Sequence, residues 1–329
     1  MNINSVRASF GTNVNSPKNT SRRNNFTLPN DTFTRTVSFS GKEAAMKDSQ
    51  SYDNFKKWAE ETDFLSRAND IVQRTGKILG RGFEGTTYEI PDTDNWVIKE
   101  YKRCNLIESD TKEPEIFEID DIAPELNIGQ TIARIHVPAG NSRYCHLYYI
   151  MKRQKGDNYG VSYTETDSID KYTTAKHLKS LKIAAELPQT SFDKCVRDTE
   201  YITKRGYLID YINPNNLMID TDKQQINFID INDKLNRTSN QHAEVLFSIL
   251  DSQFGSNFRA NAEASKEKAE AEKAAKTIVD KYFTAMKNNN AKFSGDFIHV
   301  LLESHLLDGN VKGDTIEEKL EYLRENNLV

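Results

Sequence analysis

Gly80-Arg81-Gly82-Phe83-Glu84-Gly85, followed after a short interval by Trp96-Val97-Ile98-Lys99, is the stretch on which the reading of the fold turns. Three glycines at this spacing let a hairpin backbone lie close over a polyphosphate, since no Cβ stands in the way. A lysine on the next strand can then reach those phosphates as a point charge. A glycine run of this kind also marks dinucleotide-binding turns, but there it ends a strand and opens a helix. Here the flanks are different. Thr86-Thr87-Tyr88-Glu89-Ile90 is β-branched and aromatic, Pro91-Asp92-Thr93-Asp94-Asn95 is a turn cluster, and Trp96 to Tyr101 is again strand-like. The pattern predicts strand, glycine turn, strand, tight turn, strand.

The chain around this stretch has 329 residues, enough for a sizeable core. Its formal net charge of -5 argues against a general nucleic-acid binder. No apolar run is long enough for a membrane span. The three cysteines, Cys104, Cys145 and Cys195, are widely spaced and form no CxxC pair, so they read as reduced thiols. The six histidines are scattered without zinc-ligand spacing.

Residues 1–50 are rich in Asn, Ser and Thr and have few large apolar residues at any period, which predicts a disordered leader. From residue 51 the pattern changes. Phe55, Trp58, Ala59, Thr62 and Leu65, continued by Ala68, Ile71 and Val72, lie on one helical face, with Ser51 or Asp53 available as a cap. The acidic stretch from Glu113 to Ala133 reads as helical, with Pro124 breaking or restarting it. Ile132 to Val137 and Tyr144 to Met151 read as two strands joined by Pro138-Ala139-Gly140-Asn141. The second passes into Lys152-Arg153 and Gly156, a hinge-like segment whose backbone groups near Met151 to Arg153 can bond an adenine edge.

The remainder is helical in pattern. Phe192, Cys195, Val196, Thr199 and Ile202 form a stripe that stops at Gly206, a left-handed C-terminal cap. From Phe258 to Asn288 the chain is rich in Ala, Glu and Lys, with solvated early turns expected and docking through Ile278, Val279, Tyr282, Phe283 and Met286. Two further amphipathic helices follow at Asp296 to Leu307 and Thr315 to Leu323, the latter with a Thr315-x-x-Glu318 capping box.

Between these helices lies Gly206-Tyr207-Leu208-Ile209-Asp210-Tyr211-Ile212-Asn213-Pro214-Asn215-Asn216-Leu217, then Ile226-Asn227-Phe228-Ile229-Asp230. The spacing from Asn216 to Asp230 suits a β-hairpin that returns both side chains to one place, where an amide oxygen and a carboxylate are hard ligands for Mg²⁺. This segment resembles the protein-kinase catalytic loop, with Asn216 at the metal-binding asparagine and Asp230 at the magnesium aspartate. Glycine loop, lysine, acidic segment, asparagine and aspartate occur in the order that kinases show.

The resemblance implies an α+β, two-lobed protein-kinase-like fold behind the leader, with a small β-rich N-lobe at about 75–152 and a helical C-lobe at about 153–329 within a domain of 51–329. It implies ATP and Mg²⁺ as cofactors. Gly80, Gly82 and Gly85 would cover the phosphates, Lys99 would contact them, and Met151 would line the nucleotide. Glu118 or Glu125 would orient Lys99, and Asn216 with Asp230 would hold metal. Two departures stand out. Aligned through Pro214 and Asn216, the proton-accepting position falls on Tyr211, a weak base at neutral pH, and Asp210 lies one residue early. After Asp230 the sequence runs Ile231-Asn232-Asp233, without the usual glycine, and the activation segment is very short.

In these reductions the chain is similar to the bacterial kinases delivered into host cells by type III secretion. That similarity implies a secreted protein, expected as a monomer, that phosphorylates Ser or Thr of a host protein in the host cytoplasm, with Asp210 as base. The alternative is a nucleotide-binding pseudokinase scaffold. By resemblance alone, a ubiquitin-conjugating enzyme is a conceivable partner.

Overall fold

In the computed structural model, the chain first turns helical at Tyr52, one residue after Ser51, which holds the extended backbone of an N-cap. Helix α1 (Tyr52–Glu61) and helix α2 (Phe64–Asp70) replace the single helix that the stripe predicts. The break lies at Thr62 and Asp63, where Asp63 adopts a left-handed φ of 50°. The apolar face survives the break. Phe55, Ala59, Phe64 and Ala68 are all buried, and a π-helical turn, Ile71–Thr75, buries Ile71 and Val72 before the chain enters the sheet.

Residues 51–81, 85–102, 106–109, 111–119, 129–140, 143–158, 171–210, 216–229, 231–232, 239–251 and 265–329 are described by the structure. All of these belong to one unit, Lys47–Val329. The expected leader at 1–50 lies outside the described residues.

Seven strands form the main sheet. These are β1 (Ile78–Arg81), β2 (Gly85–Glu89), β3 (Trp96–Tyr101), β4 (Leu106–Glu108), β5 (Glu115–Glu118), β6 (Thr131–Pro138) and β7 (Tyr144–Lys152). The order is β1-β2-β3-β7-β6-β5, with β4 pairing beside β3 on β7. All described pairings in it are antiparallel. The predicted strand, glycine turn, strand, tight turn, strand is present, and Asp92 at φ 66° makes the second turn. The predicted pair after it is present as well, with Gly140 at φ 61° in the connection.

The acidic stretch departs from its expected helix. Glu115-Ile116-Phe117-Glu118 is strand β5, paired with His136 to Ala133 of β6. The reason lies in the alternation of these four residues: Ile116 packs on the buried cluster, while Phe117 turns to the other face against His136, ring centres 4.3 Å apart. An available sheet edge outweighs the weak helical propensity of the acids.

Buried apolar residues fall into two clusters. One joins α1, α2 and one face of the sheet through Phe55, Phe64, Trp96, Ile98, Ile132, Ile135, Tyr148 and Ile150. Phe55 meets Trp96 and Phe64 edge-on at 5.3 and 5.7 Å, contacts each worth about 0.5–1.5 kcal/mol beyond area burial. The second is built by α3 (Lys171–Glu186), α4 (Gln189–Lys204), α5 (His242–Asp251), α6 (Ser265–Asn288), α7 (Phe297–Glu303) and α8 (Ile316–Glu325) around a β-hairpin. Gly206 ends α4 at φ 80°, as its sequence predicts. The Thr315–Glu318 capping box forms reciprocally at α8. In α6 the predicted stripe is buried, but burial starts earlier than expected, at Ala271, Ala274 and Ala275. Alanine adds little hydrophobicity yet lets α3 approach closely, which a search for large apolar residues overlooks.

Three short pairings complete the fold. β8 (Asp157–Asn158) joins β10 (Leu217–Asp220), β10 pairs β11 (Gln225–Phe228), and β9 (Leu208–Ile209) pairs β12 (Ile231–Asn232).

Candidate functional site

Register assigns the side chains of the sheet to faces, because directly opposed residues in an antiparallel pair share a face. Ile98, Ile150, Ala133 and Glu118 form one row across β3, β7, β6 and β5, and Lys99, Tyr149, Arg134 and Phe117 form the next. The first row belongs to the face covered by α1 and α2. Lys99 therefore stands on the opposite face, together with Val97 and Met151, which are themselves paired.

Lys99 is 7% exposed, and its Nζ lies 4.6 Å from the centre of the Tyr101 ring. Tyr101 in turn meets Tyr149 edge-on at 4.9 Å. The ammonium is thus held against an aromatic wall that attracts cations. Glu118 is not part of this arrangement. It is exposed, lies three strands from β3 and faces the helix side, where its charge acts on the Tyr52 hydroxyl. The expectation that Glu118 orients Lys99 is corrected by register. Glu125, the other candidate, lies outside the described residues.

The glycine loop divides. Gly85 sits opposite Tyr101, and a Cβ there would stand 2.3 Å from the carbonyl oxygen of Glu100, so β2 and β3 need glycine at this point. Gly80 faces open space and keeps an ordinary φ, so packing in the described structure does not demand glycine there. Gly82 lies outside the described residues. The hinge expectation also changes. The Lys152 amide donates to the Gln130 carbonyl at 2.9 Å and the Arg153 amide to the Asn95 carbonyl at 2.8 Å, so neither donor is left for a base. The Arg153 guanidinium reinforces this by bonding Glu89 and Asp94 at 2.9 and 3.2 Å.

On the helical side, Asn216 is 5% exposed and opens β10. Its Nδ2 donates to the Asp210 carboxylate at 2.9 Å and to the Asp210 carbonyl at 3.2 Å. Asp210 follows β9, whose Ile209 pairs with Ile231 of β12. The hairpin predicted after Asn216 is present: Leu217 pairs with Phe228, and the Ile229 amide donates to the Asn216 carbonyl at 2.8 Å. Asp230 itself, like Tyr211, lies outside the described residues, but its neighbours Ile229 and Ile231 are bonded toward Asn216 and Ile209. Asp210 and Asn216 are brought together.

One residue that joins sheet and hairpin was missed in the sequence. Gly129, two residues before β6, bridges Ile229, and its amide donates to the Phe228 carbonyl at 2.8 Å. A Cβ at Gly129 would lie 2.8 Å from Ile229 Cγ2, so the approach requires glycine. Thr131, two residues on, pairs with Met151. A continuous bonded path thus runs from the Lys99 face through Met151, Thr131 and Gly129 to Ile229 and Asn216. The glycine in Asn127-Ile128-Gly129-Gln130 was the available signal.

Cys145 and Cys195 are buried and free, and burial pushes the Cys195 thiol up to about 12, so it stays protonated at neutral pH. Cys104 lies outside the described residues.

Sheet, helices and hairpin make a mixed α/β fold. No protein-family model matches the chain, and no curated protein matches it. Among solved structures, it is similar to a divergent kinase lacking the glycine-rich loop that regulates membrane ultrastructure of the Toxoplasma parasitophorous vacuole. That match has 12% identity and a TM-score of 0.32, covering 81% of this chain and 94% of the other. It is also similar to the ROP18 kinase domain in complex with AMP-PNP and sucrose, at 10% identity and a TM-score of 0.31, covering 75% of this chain and 90% of that one.

Proposed function

We propose that the chain is a protein-kinase-like phosphotransferase that binds ATP with Mg²⁺ between the Lys99 face of the sheet and the Asp210–Asn216 loop. The observation that carries this reading is the bond from Asn216 to Asp210, which sets a carboxylate beside a side-chain amide, and an amide oxygen is a hard ligand of the kind such a cation takes. Lys99 supplies positive charge for the phosphates, Val97 and Met151 offer an apolar surface to the base, and Asp210 accepts the proton of the attacking hydroxyl. Asn216 and Asp230 would hold the metal, which draws charge from the phosphate oxygens. Because phosphoryl transfer depends mainly on positioning and charge, a base one residue from its usual place is compatible with turnover. On the resemblance of its motifs, the substrate is Ser or Thr of a host protein, reached after secretion into the host cell.

A second reading, a nucleotide-binding scaffold without transfer, is favoured by the hinge. The amides of Lys152 and Arg153 are both committed within the chain, so the adenine edge loses two expected donors. One experiment separates the two: radiolabelled ATP and Mg²⁺ with mixed protein substrates, for wild type, Lys99→Ala and Asp210→Asn, alongside nucleotide binding by calorimetry. Transfer by wild type that both variants lose supports the enzyme. Nucleotide binding without transfer supports the scaffold, and neither binding nor transfer overturns both.

A further inference from the structure

His136 on β6 is 8% exposed, and its Nδ1 and Nε2 are both shut off from solvent. Among the described residues neither nitrogen has a hydrogen-bond partner. A neutral imidazole carries one donor and one acceptor, so burying both unpaired costs stability that a phenylalanine or leucine in the same space would not.

Register places the ring among its neighbours. His136 lies two residues beyond Arg134, hence on the Lys99 face, between Glu115 of β5 and Leu147 of β7. The Phe117 ring stands 4.3 Å from the imidazole, and the Arg134 guanidinium lies 5.2 Å from the centre of that same ring. On β7 the residues flanking Leu147 on this face are Cys145 and Tyr149, and β4 adds Ile107 opposite Cys145. Lys99, in the Arg134 row, is two strands away. The charged groups that the described strands bring to the ring are therefore Arg134 and Glu115. Burial, reinforced by Arg134, holds the imidazole below its ordinary 6.5 in spite of Glu115. A ring that resists the proton in place, but takes it at the ordinary value once released, makes release easier as pH falls through 6.5.

The neighbouring strand is suited to release. β5 has four residues, ends the sheet order and has no described strand on its outer side. The Ile119 amide donates to the Ile132 carbonyl at 3.0 Å, and alternation along the ladder gives the Phe117 amide the same role toward β6. Ile116 holds β5 on the helix face, and Phe117 holds it on the other, against His136 and Arg134. A proton on His136 sets two cations against one aromatic ring and adds a donor to a place that offers it no acceptor. β3 and β7, by contrast, are paired on both sides.

We propose that His136 is an acid-sensitive fastening for β5: its protonation releases the edge strand from β6, while β2, β3 and β7 stay paired. The device opens the backbone edge of β6 and works without nucleotide, so it stands apart from the phosphotransferase reading.

The test is amide exchange on the full chain between about pH 7.5 and 5.5, each rate referred to its intrinsic value. Protection of the Phe117 and Ile119 amides should fall about three- to tenfold over this range, because one unit below 6.5 a freed imidazole is about tenfold more often protonated than not. Ile98 and Ile150 should keep theirs. In His136→Phe and His136→Gln the fall should vanish, since neither side chain titrates, and the glutamine carries the comparison if the phenylalanine does not fold. A change under threefold at Phe117 and Ile119, an equal loss across β3 and β7, or a wild-type response that survives either substitution overturns the proposal.

Discussion

Asn216 donates its side-chain amide to two oxygens of Asp210, one of the carboxylate at 2.9 Å and that of the backbone carbonyl at 3.2 Å. A bond to an ionised acceptor is stronger than one between neutral groups, and the paired carbonyl contact fixes the direction from which the carboxylate is held. Six positions separate the two residues, yet their side chains meet. The sequence places Asp210 one residue from where the kinase pattern wants a base, and the structure brings its carboxylate to the asparagine all the same.

If the proposed phosphotransferase reading holds, Asn216→Ala should disturb two things together, the oxygen proposed to hold the metal and the alignment of Asp210. The expected result is a fall in transfer of about 100-fold or more, the range seen when a positioned proton-transfer group is lost. A rise in the Mg²⁺ concentration needed for half-maximal rate should accompany it. Phosphate transfer measured against Mg²⁺ concentration checks both, and a rate within a fewfold of wild type would remove Asn216 from the site.

Gly85 and Gly80 should respond differently to the same substitution. A methyl group at Gly85 meets the Glu100 carbonyl oxygen at 2.3 Å, with backbone on the far side, so β2 and β3 must part to admit it. Gly85→Ala should cost about 1–3 kcal/mol, as overpacking does. Gly80→Ala meets nothing within 4 Å and should stay within about 0.5 kcal/mol of wild type. Urea denaturation of the two variants compares them directly.

Glu118→Ala should leave nucleotide binding within about twofold of wild type. Its side chain lies on the helix face of an edge strand, whereas Lys99 occupies the other face of β3. Titration with a fluorescent ATP analogue gives the comparison. A tenfold loss of affinity would mean that the register does not describe the bound state.

How far the sequence can be read depends on whether the signal is local. The β1–β2–β3 arrangement was legible because turn residues and β-branched runs alternate within about twenty-five residues. The β10–β11 hairpin and the Thr315 capping box were legible for the same reason. Glu115 to Glu118 was not, because its partner β6 offers a sheet edge that no local pattern reveals, and four residues satisfy helix and strand alike. Gly129 and Gln241, whose side chain bonds both backbone groups of Ile209, were missed on similar grounds: each acts on a residue 32 or more positions away in the chain, and neither belongs to a motif. Lys99 and Asn216 were singled out by spacing and Asp210 by its likeness to the kinase loop. The face on which Lys99 stands came only with register, and the bond between Asp210 and Asn216 only with the fold.

Glu200 and His242 supply a prediction about pH. The His242 ring bonds Glu200 at 2.7 Å while fully buried, and this bond, aided by Lys204, draws the Glu200 carboxyl from 4.5 down to about 2 in spite of its partial burial. A carboxyl held below its unfolded value adds stability at every pH above that unfolded value. The contribution then fades as pH falls toward the folded value, because the unfolded chain binds the proton first. Glu200 keeps a side-chain exposure of 26%, and screening reduces the effect, so about 1–2 kcal/mol is expected at pH 7. Glu200→Gln should be less stable than wild type by this amount from pH 7 down to about pH 5. The difference should shrink between about 4.5 and 2 as wild type loses what the variant never had. Denaturant midpoints at pH 7, 5, 4 and 3 test this, and a gap that stays constant across the series would show that charge on Glu200 is not the source. Because His242 adjoins Gln241, the same acid range should loosen the anchor on Ile209, and protection of that amide relative to its intrinsic exchange rate should fall in wild type over the interval in which the stability difference closes.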